Sequence, residues 1–521
     1  MAHTETLKPA ASHGSYRRIL SATSVLGGAA AMNMLISMVR AKIVAQYLGK
    51  DGLGEMGIYM SVSGLVVTVA SFGLSLSGVR EMAAALGAGD VAAFTAARRT
   101  LCTLSWLLGL VGAAVMAFGA YFISLRTTGT AEHTSAIAWL SLVVLLALLG
   151  NYWSALTQVA GQMTRVGKIQ VAGALGGAAT SVACFILWRR DGIVPALVLG
   201  AAVQALASFY WSTGLGLPTA AGHTRFSLDA ARRLLTLGGL NVAVGVQTSI
   251  VAVLLRRLVV DFKGLAGVGI FQAAQGLSSL YANYILGAMS TDFLPRLAGA
   301  MHDRPQANRM INDQTVIALH LGLPGVVGTI VFAPWVVPLF YSSEFRETVP
   351  VLQVMAAAIF GRLLCWPLGM ALVSANARMK WFGGEVICSV TQVLVTWLLL
   401  PRIGVMSAAV AMVVMNVVCS ALYYIWVRRL TGLRWSKGVY SGLGVGTASI
   451  GAVLALTLLP AVPAFAAGIV VLLAVSWFCL REIVSSAGVT SSGVIKRLVL
   501  WRAALLRHLR PANPEPDARH S

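Results

Sequence analysis

The stretch LGEMGIYMSVSGL, residues 53–65, is matched further along the same chain by LAGVGIFQAAQGL, residues 265–277. At a spacing of 212 positions, the shared residues Leu53, Gly57, Ile58, Gly64 and Leu65 recur as Leu265, Gly269, Ile270, Gly276 and Leu277. An aromatic residue follows the isoleucine in both copies. Glycines within apolar segments allow membrane helices to pack closely. The two stretches therefore indicate that one helical unit occurs twice.

The composition places this unit in a membrane. Of the 521 residues, 57% are hydrophobic and only 11% are charged, and the mean hydropathy is +0.79. A soluble protein of this length needs a larger polar surface, so we expect lipid to surround most of the chain. The net charge of +21 does not indicate a nucleic-acid partner, because no stretch is long and polar enough to form a basic soluble domain.

Apolar runs between polar breaks predict an all-α polytopic protein with about 14 membrane-spanning helices, since about 20 apolar residues cross a bilayer. Residues 1–18 are polar, and the run after them has no small-residue cleavage site, so we expect it to remain as a helix. The predicted spans are 19–44, 57–80, 100–123, 135–158, 169–188, 193–213, 234–258, 266–290, 314–337, 349–373, 381–400, 405–427, 439–460 and 464–481.

The repeat groups these spans into two parallel six-helix lobes and an appended pair. Residues 192–198 align with residues 404–410, also at a spacing of 212, and residues 17–20 align with residues 232–235 at 215. Because six is an even number, both copies enter the membrane in the same direction, an arrangement typical of alternating-access transporters. The predicted units are a cytoplasmic segment at 1–18, lobes at 19–213 and 234–427, the pair at 439–481 and a basic amphipathic tail at 482–521.

The positive charges predict the orientation. Most lysines and arginines of the connections lie on the side that holds both termini, so the positive-inside rule places both termini in the cytoplasm. The opposite connections carry few, namely Lys50, Arg126, Arg189, Arg190, Lys263, Arg346 and Arg402. Topology therefore accounts for most of the net positive charge.

Motifs for cofactors are weak or missing. The six cysteines lie in apolar runs without CxxC spacing, which is typical of buried thiols rather than of disulfides or a metal site. GLGEMG, residues 52–57, has GxGxxG spacing but follows a membrane helix instead of a strand, so we reject a nucleotide site. The sequence has no Walker motif. We expect no metal and no cofactor.

Several segments resemble the polysaccharide-repeat-unit flippases of the multidrug/oligosaccharidyl-lipid/polysaccharide exporter superfamily. They are AKIVAQYLGKDGLGEMGIYMSVSGL (41–65), SFGLSLSGVREMA (71–83), FQAAQGLSSLYANYILGAMSTDFLPRLA (271–298) and LVSANARMKWFGGEV (372–386). The later two are similar to the lipid III and O-antigen flippases. The resemblance implies V-shaped lobes around a cationic cavity. It also implies transport of an undecaprenyl-diphosphate-linked oligosaccharide across the bacterial inner membrane, with a glycan polymerase as a partner.

Cationic residues within the spans are the first candidates for a substrate site, because buried charge in a membrane is costly. Arg362 lies 13 residues into its span if that span begins at Val349, a depth of about 20 Å. A guanidinium matches the oxygens of a diphosphate. Lys42 and Arg257 occupy equivalent repeat positions and would supply one cation per lobe. The other cationic candidates are Arg40, Arg256 and Arg80. Structural ion pairs, or side chains that reach the membrane surface, are the alternatives.

Uncharged polar side chains form a second set, either as contacts for sugar hydroxyls or as hydrogen bonds between helices. They are Gln272, Gln275, Asn151 and Gln247. Asp292 is the candidate for coupling to an ion, although Arg296 lies four residues on and a local ion pair would also explain it. The sequence does not decide between H⁺ and Na⁺ as the coupling ion.

Two other functions stay open at this point. A cation-coupled multidrug exporter would need intramembrane carboxylates, whereas the candidates here are mostly arginine and lysine. A membrane glycan polymerase or ligase would need a long outer loop with acid and base residues. No outer connection exceeds about a dozen residues, and His320 alone among the eight histidines lies in a predicted span. We therefore expect a transporter rather than an enzyme.

Overall fold

A computed structural model describes residues 12–218, 231–232, 234 and 239–486. Every regular element within these residues is a helix, which confirms the predicted fold class. Most of the predicted segment 1–18, much of the linker between the lobes and most of the tail 482–521 lie outside the described residues.

The first half of the molecule comprises eight described helices. They are α1 (Ser12–Ser71), α2 (Leu74–Gly87), α3 (Val91–Phe118), α4 (Ala120–Thr128), α5 (Thr134–Trp139), α6 (Ser141–Val159), α7 (Met163–Trp188) and α8 (Ile193–Ser212). A single 3₁₀ turn, Arg189–Gly192, joins α7 to α8.

The second half comprises five helices, and two more follow it. They are α9 (Gly239–Ala300), α10 (Arg304–Phe340), α11 (Thr348–Ser374), α12 (Arg378–Ile403) and α13 (Met406–Thr431), then α14 (Lys437–Leu456) and α15 (Ala461–Ser486). A 3₁₀ turn, Ser343–Glu347, connects α10 to α11.

The two longest helices break at equivalent glycines. Gly49 in α1 has φ 62° and ψ −167°, and Gly264 in α9 has φ 64° and ψ −166°. Positive φ is readily adopted by glycine, which lacks a Cβ. The two glycines are 215 residues apart, as are Lys42 and Arg257. The backbone therefore repeats where the sequence predicts that it should.

A second backbone break is also repeated, but with different residues. Arg189, the residue that follows α7, has φ 48° and ψ −120°, and Gly404, the residue that follows α12, has φ 58° and ψ −139°. The spacing is again 215. The second copy uses glycine where the first holds an arginine in a conformation that costs about 1–3 kcal/mol for a side-chain-bearing residue.

The predicted number of spans is not confirmed. Eleven helical stretches among the described residues are long and apolar enough to cross a membrane. Three of them, Met32–Gly87, Met163–Ser212 and Val242–Leu280, each contain one of the breaks above. The predicted span 57–80 also differs from the structure, because Phe72 and Gly73 both have positive φ and separate α1 from α2.

The two halves share their largest core at one end, and α1 and α9 also touch further along, where the Ser249 hydroxyl donates a 3.3 Å hydrogen bond to Oγ1 of Thr68. We call the end that holds Gly49 and Gly264 the kinked end. The largest buried apolar cluster lies there and combines both halves, with Leu48 and Tyr59 beside Leu255 and Phe271. Towards the opposite end the described residues form one cluster around Leu101 in the first half and another around Leu368 in the second. The halves are thus joined at the kinked end and have separate cores at the other.

The appended helices α14 and α15 pack on the second half. A cluster containing Val439 and Val475 unites them with α10 and α11. A Cβ added to Gly446 would lie 2.1 Å from Cζ of Phe360, so α14 approaches α11 closely. His320 is buried in this region, with its Nδ1 2.8 Å from the carbonyl oxygen of Val316. The one histidine in a predicted span therefore has a local bond inside the core.

Candidate functional site

Lys42 and Arg257 each reach from one half of the molecule to the other. The Lys42 Nζ donates a 3.0 Å hydrogen bond to the carbonyl oxygen of Pro338, in the last turn of α10. The Arg257 guanidinium lies 3.2 Å from the position that a Cβ on Gly129 would occupy, at the end of α4. Arg257 also pairs with Asp261 at 2.8 Å. Because helix C-termini attract cations, both contacts favour closure of the kinked end.

Glycines let the two long helices touch backbone to backbone beside these cations. A Cβ on Gly54 would lie 2.0 Å from the carbonyl oxygen of Leu265, and one on Gly269 would lie 2.0 Å from that of Lys50. A Cβ on Gly57 would lie 3.1 Å from Oε1 of Gln272. The repeated stretch therefore forms a close contact between the halves.

Arg256 is buried beside this contact and is already paired. Its Nη2 donates to Oε1 of Gln272 at 2.6 Å and to Oε1 of Gln275 at 3.3 Å, and its Nη1 donates to the carbonyl oxygen of Ala252. The guanidinium also lies over the ring of Phe271. The structure brings three predicted site residues together, and their geometry favours the alternative of internal hydrogen bonds.

Arg362 and Asn151 occupy equivalent places in the two halves. Gly150 of α6 packs on Ala205 of α8, as Gly361 of α11 packs on Asn416 of α13. Gly150 and Gly361 are 211 residues apart, and so are Ala205 and Asn416. Asn151 and Arg362 follow these glycines and are both exposed. Among the described residues, neither side chain has a hydrogen bond or ion pair.

The face of α11 that carries Arg362 is turned towards α9. Trp366, one turn further on, contacts the ring of Phe293 in α9. Leu363 packs instead against Gly322 of α10. Since residues four apart share a helix face, Arg362 lies on the α9 side of α11.

Arg40 lines a separate cavity inside the first half. This cavity has a volume of about 440 Å³, and its polar lining includes Asn33, Gln170 and Gln204. The Nε of Arg40 and Oδ1 of Asn33 are buried without a hydrogen-bond partner among the described residues. The cavity is therefore polar, carries a positive charge and retains unused hydrogen-bonding capacity.

Gln247 lies at the wall of a larger, apolar cavity. Its side-chain amide donates to the carbonyl oxygen of Glu385, at 2.9 Å, and to Oγ of Ser389. The cavity has a volume of about 900 Å³ and lies between α9 and α12, with Phe72 of the first half at its edge. Its other lining residues are nearly all apolar, such as Ile250. Gln247 thus joins two helices beside a space suited to a hydrocarbon chain.

Arg80 and Asp292 stand apart from these arrangements. Arg80 is exposed on α2, beyond the break that separates α1 from α2. The side chain of Asp292 lies outside the described part of the chain, so its predicted coupling role stays a prediction.

Two titratable clusters escaped the sequence analysis. Glu55 lies within bonding distance of Tyr59 and near His133 and Arg190. The Tyr59 partner at i+4 was visible in the quoted stretch, but nothing local pointed to His133, which is 78 residues from Glu55. In α12, Glu385 accepts a 2.8 Å bond from the Tyr423 hydroxyl. The sequence feature that could have identified Glu385 is its position as a lone carboxylate in the apolar run after FGG.

Comparisons with known proteins agree with this architecture. The sequence profile described as "Polysaccharide biosynthesis protein" matches residues 43–350. Uncharacterized protein Rv3630 of Mycobacterium tuberculosis is 25% identical over 398 residues, which cover 73% of this chain and 88% of that protein.

Solved transporters share the fold at low sequence identity. The structure described as "Lipid II flippase MurJ, inward closed conformation" matches with a TM-score of 0.68 at 14% identity, covering 89% of this chain and all of that one. An inward-facing multidrug resistance MATE family transporter of the MOP superfamily matches with a TM-score of 0.61 at 18% identity, covering 77% of this chain and 95% of that one.

Proposed function

Because this chain belongs to the polysaccharide biosynthesis protein family, we propose that it is a flippase for an undecaprenyl-diphosphate-linked oligosaccharide. It moves this repeat unit of a surface polysaccharide across the bacterial inner membrane. Its two lobes, at 19–213 and 234–427, alternate between access from the cytoplasm and access from the outer side.

The observation that carries this proposal is the joined core at the kinked end and the separate cores at the opposite end. In the predicted orientation, both termini and the opposite end face the cytoplasm. The conformation is then the one that receives a substrate made in the cytoplasm. Lys42 and Arg257 close the outer side in this state, and they become available to a diphosphate only when the halves separate there.

Arg362 is the principal diphosphate ligand in this proposal. It lies on the α9 side of α11, is exposed and has no partner among the described residues. A free guanidinium can donate two parallel hydrogen bonds to phosphate oxygens. Asn151, at the equivalent place in the first half, is suited to a sugar hydroxyl, and Arg40 adds a positive charge within that half.

The apolar cavity between α9 and α12 accommodates the first isoprene units of the lipid tail. Its volume of about 900 Å³ falls in the range of small-molecule sites, and its lining is almost entirely apolar. Phe72 of the first half forms one edge, so a tail in this cavity contacts both halves.

A cation-coupled multidrug exporter is the second candidate, and Glu385 is the observation in its favour. This carboxylate lies in an apolar helix of the second half, where a cationic drug would be attracted. However, the Tyr423 hydroxyl already occupies one of its oxygens. Arg40 and Arg362 have no such partner in the described chain, which favours an anionic substrate. A glycan polymerase acts on the product as a partner rather than in this chain.

Deletion of the gene followed by analysis of lipid-diphosphate glycans tests the proposal. We expect complete repeat units to accumulate on undecaprenyl diphosphate facing the cytoplasm, where added glycosidases cannot reach them in intact cells. Return of the intact gene should clear them, and their sugars identify the substrate. A deletion strain with normal lipid-linked glycans and a normal surface polysaccharide would rule the flippase out.

A further inference from the structure

The side chains of Glu55, Tyr59 and His133 form a compact cluster at the kinked end. The Tyr59 hydroxyl lies 2.7 Å from Oε1 of Glu55 and 2.8 Å from Nδ1 of His133. The same Oε1 lies 3.5 Å from His133 Nδ1. Tyr59 is 1% exposed, and the side chains of Glu55 and His133 are 15% and 17% exposed.

Counting protons shows that this cluster has two arrangements. A tyrosine hydroxyl donates one hydrogen bond, yet Tyr59 has two close partners. In the first arrangement, the Tyr59 hydroxyl donates to the Glu55 carboxylate and accepts a hydrogen bond from Nδ1–H of His133. In the second, a protonated Glu55 donates to the Tyr59 oxygen, and the Tyr59 hydroxyl donates to an unprotonated Nδ1 of His133. The cluster can therefore pass a proton along its length.

We infer that Glu55, Tyr59 and His133 form a proton-binding relay whose occupancy biases the contact between the two halves. Starting from a doubly protonated His133, the Nδ1 proton passes to the Tyr59 oxygen while the Tyr59 proton passes to Oε1 of Glu55. The O–H bond of Tyr59 breaks and is remade, leaving a neutral imidazole and a neutral carboxylic acid. The inference rests on the proposed function in making H⁺ the coupling ion.

Protons can reach the relay from one side. All three residues line a cavity of about 640 Å³ at the kinked end, together with Glu132, Asp191 and Arg190. Arg190 Nη2 lies 3.6 Å from Oε2 of Glu55 and is half exposed. On the side of α9, the charged group bound to the contact is Arg256, whose guanidinium donates to Oε1 of Gln272. Binding one proton neutralises the relay and weakens its attraction for Arg190.

The relay is connected to the contact between the halves through the helix that carries it. Gly54 and Gly57 lie next to Glu55 and Tyr59 on α1, and their backbones touch Leu265 and Gln272 of α9. A movement of this part of α1 when Arg190 is released must therefore alter the contact with the second half.

The second half shows that packing alone does not require these groups. At the repeat spacing of 212, Glu55 corresponds to Gly267 and Tyr59 to Phe271. Phe271 is buried in the same core as Tyr59. The same framework is therefore built without a hydroxyl or carboxylate at these places, which points to a function for the relay in the first half.

The test measures the separation of the opposite ends in the full-length protein in lipid vesicles. Spin labels are attached to cysteines at Val91→Cys and Met379→Cys, after the native cysteines are replaced. Both sites are exposed at the opposite end, and the readout needs no glycan. Lowering the pH from about 8 to about 5 should load the relay with a proton and reduce the long-distance population. One proton permits at most about a tenfold change per pH unit.

Glu55→Gln and Tyr59→Phe, the latter copying Phe271, should each remove the pH response while leaving the protein folded. Glu132→Gln is the matched control, because it removes an exposed carboxylate from the same cavity and should leave the response unchanged. A wild-type protein without a pH response, or folded relay variants that keep it, would overturn the inference. Either result leaves the flippase proposal standing, since accumulation of lipid-linked glycans tests that separately.

Discussion

The Nζ of Lys42 lies 3.0 Å from the carbonyl oxygen of Pro338, so a cation of the first half is bound to a helix end of the second. Arg257 approaches the end of α4, at Gly129, in the reciprocal sense. Two residues that the sequence predicts as substrate-site cations, one per lobe, are therefore also a latch at the kinked end. Each must leave its helix terminus before that end can open.

Lys42→Met should weaken this latch. Hydrogen bonds from charged donors contribute about 1.5–3 kcal/mol, and partial solvent exposure of Lys42 reduces the effect to the lower part of that range. The conformation closed at the kinked end should therefore lose about tenfold in relative population, which the Val91 and Met379 spin labels would report. Lys50→Met is the control, because the Glu347 partner of Lys50 is 71% exposed and such pairs contribute at most about 1 kcal/mol. Equal effects of the two variants would contradict the latch.

Arg362→Ala should abolish glycan export while the protein remains in the membrane. Arg362→Lys should restore it only in part, because an ammonium lacks the planar fork of a guanidinium. Complementation of the deletion strain, with surface glycan and protein amount measured together, provides the readout. Arg309→Ala is the matched control, since that exposed arginine bonds only weakly to the carbonyl oxygen of Pro305. Normal surface glycan in Arg362→Ala cells would remove Arg362 from the site.

Gly54→Ala should destabilise the protein. The added Cβ would lie 2.0 Å from the Leu265 carbonyl oxygen, so the long helices must separate, at a typical cost of about 1–3 kcal/mol for overpacking. The melting temperature should fall. Gly64→Ala on the same helix meets nothing within 4 Å and should be neutral or stabilising by up to about 1 kcal/mol. A Gly54→Ala protein as stable as the Gly64→Ala protein would show that the contact is not close.

Gly446→Val should loosen the appended helices. Phe360 Cζ lies 2.1 Å from the position of the added Cβ, so either the Phe360 ring is displaced or α14 moves away from α11, and the packing loosens in both cases. Faster protease cleavage in the turn between α14 and α15 would report this movement. Gly444→Val, two residues away with open space around it, gives the baseline, and indistinguishable cleavage of the two variants would contradict the proposed packing.

The repeat was predictable because matching residues recur at a constant distance along the sequence. Gly57 and Gly269 recur at one distance in the sequence, and the backbone breaks at Gly49 and Gly264 follow the same register. The fold class needed only the length and polarity of the apolar runs. The break at Phe72 was missed, because the apolar run continues through it and hydropathy alone does not detect a left-handed backbone.

The site was less predictable, because its contacts join distant parts of the chain. Sequence reasoning selected Arg256, Gln272 and Gln275 separately, but their mutual bonds depend on how α9 bends at Gly264. The partnership of Glu55 with His133 arises only when α5 is placed beside α1. Costly intramembrane charge can be identified from sequence, whereas its partners are set by packing.

Lys42 of the first half approaches a helix end of the second half, and Arg257 of the second half approaches a helix end of the first. Two identical subunits related by a twofold axis make the same pair of contacts. A single six-helix polypeptide pairing with a second copy of itself would form both contacts at once. After fusion into one gene, each copy can change on its own. The first copy has Tyr59 where the second has Phe271, and this difference is such a change. A one-sided proton relay is possible only in the fused protein, because a homodimer would carry it twice.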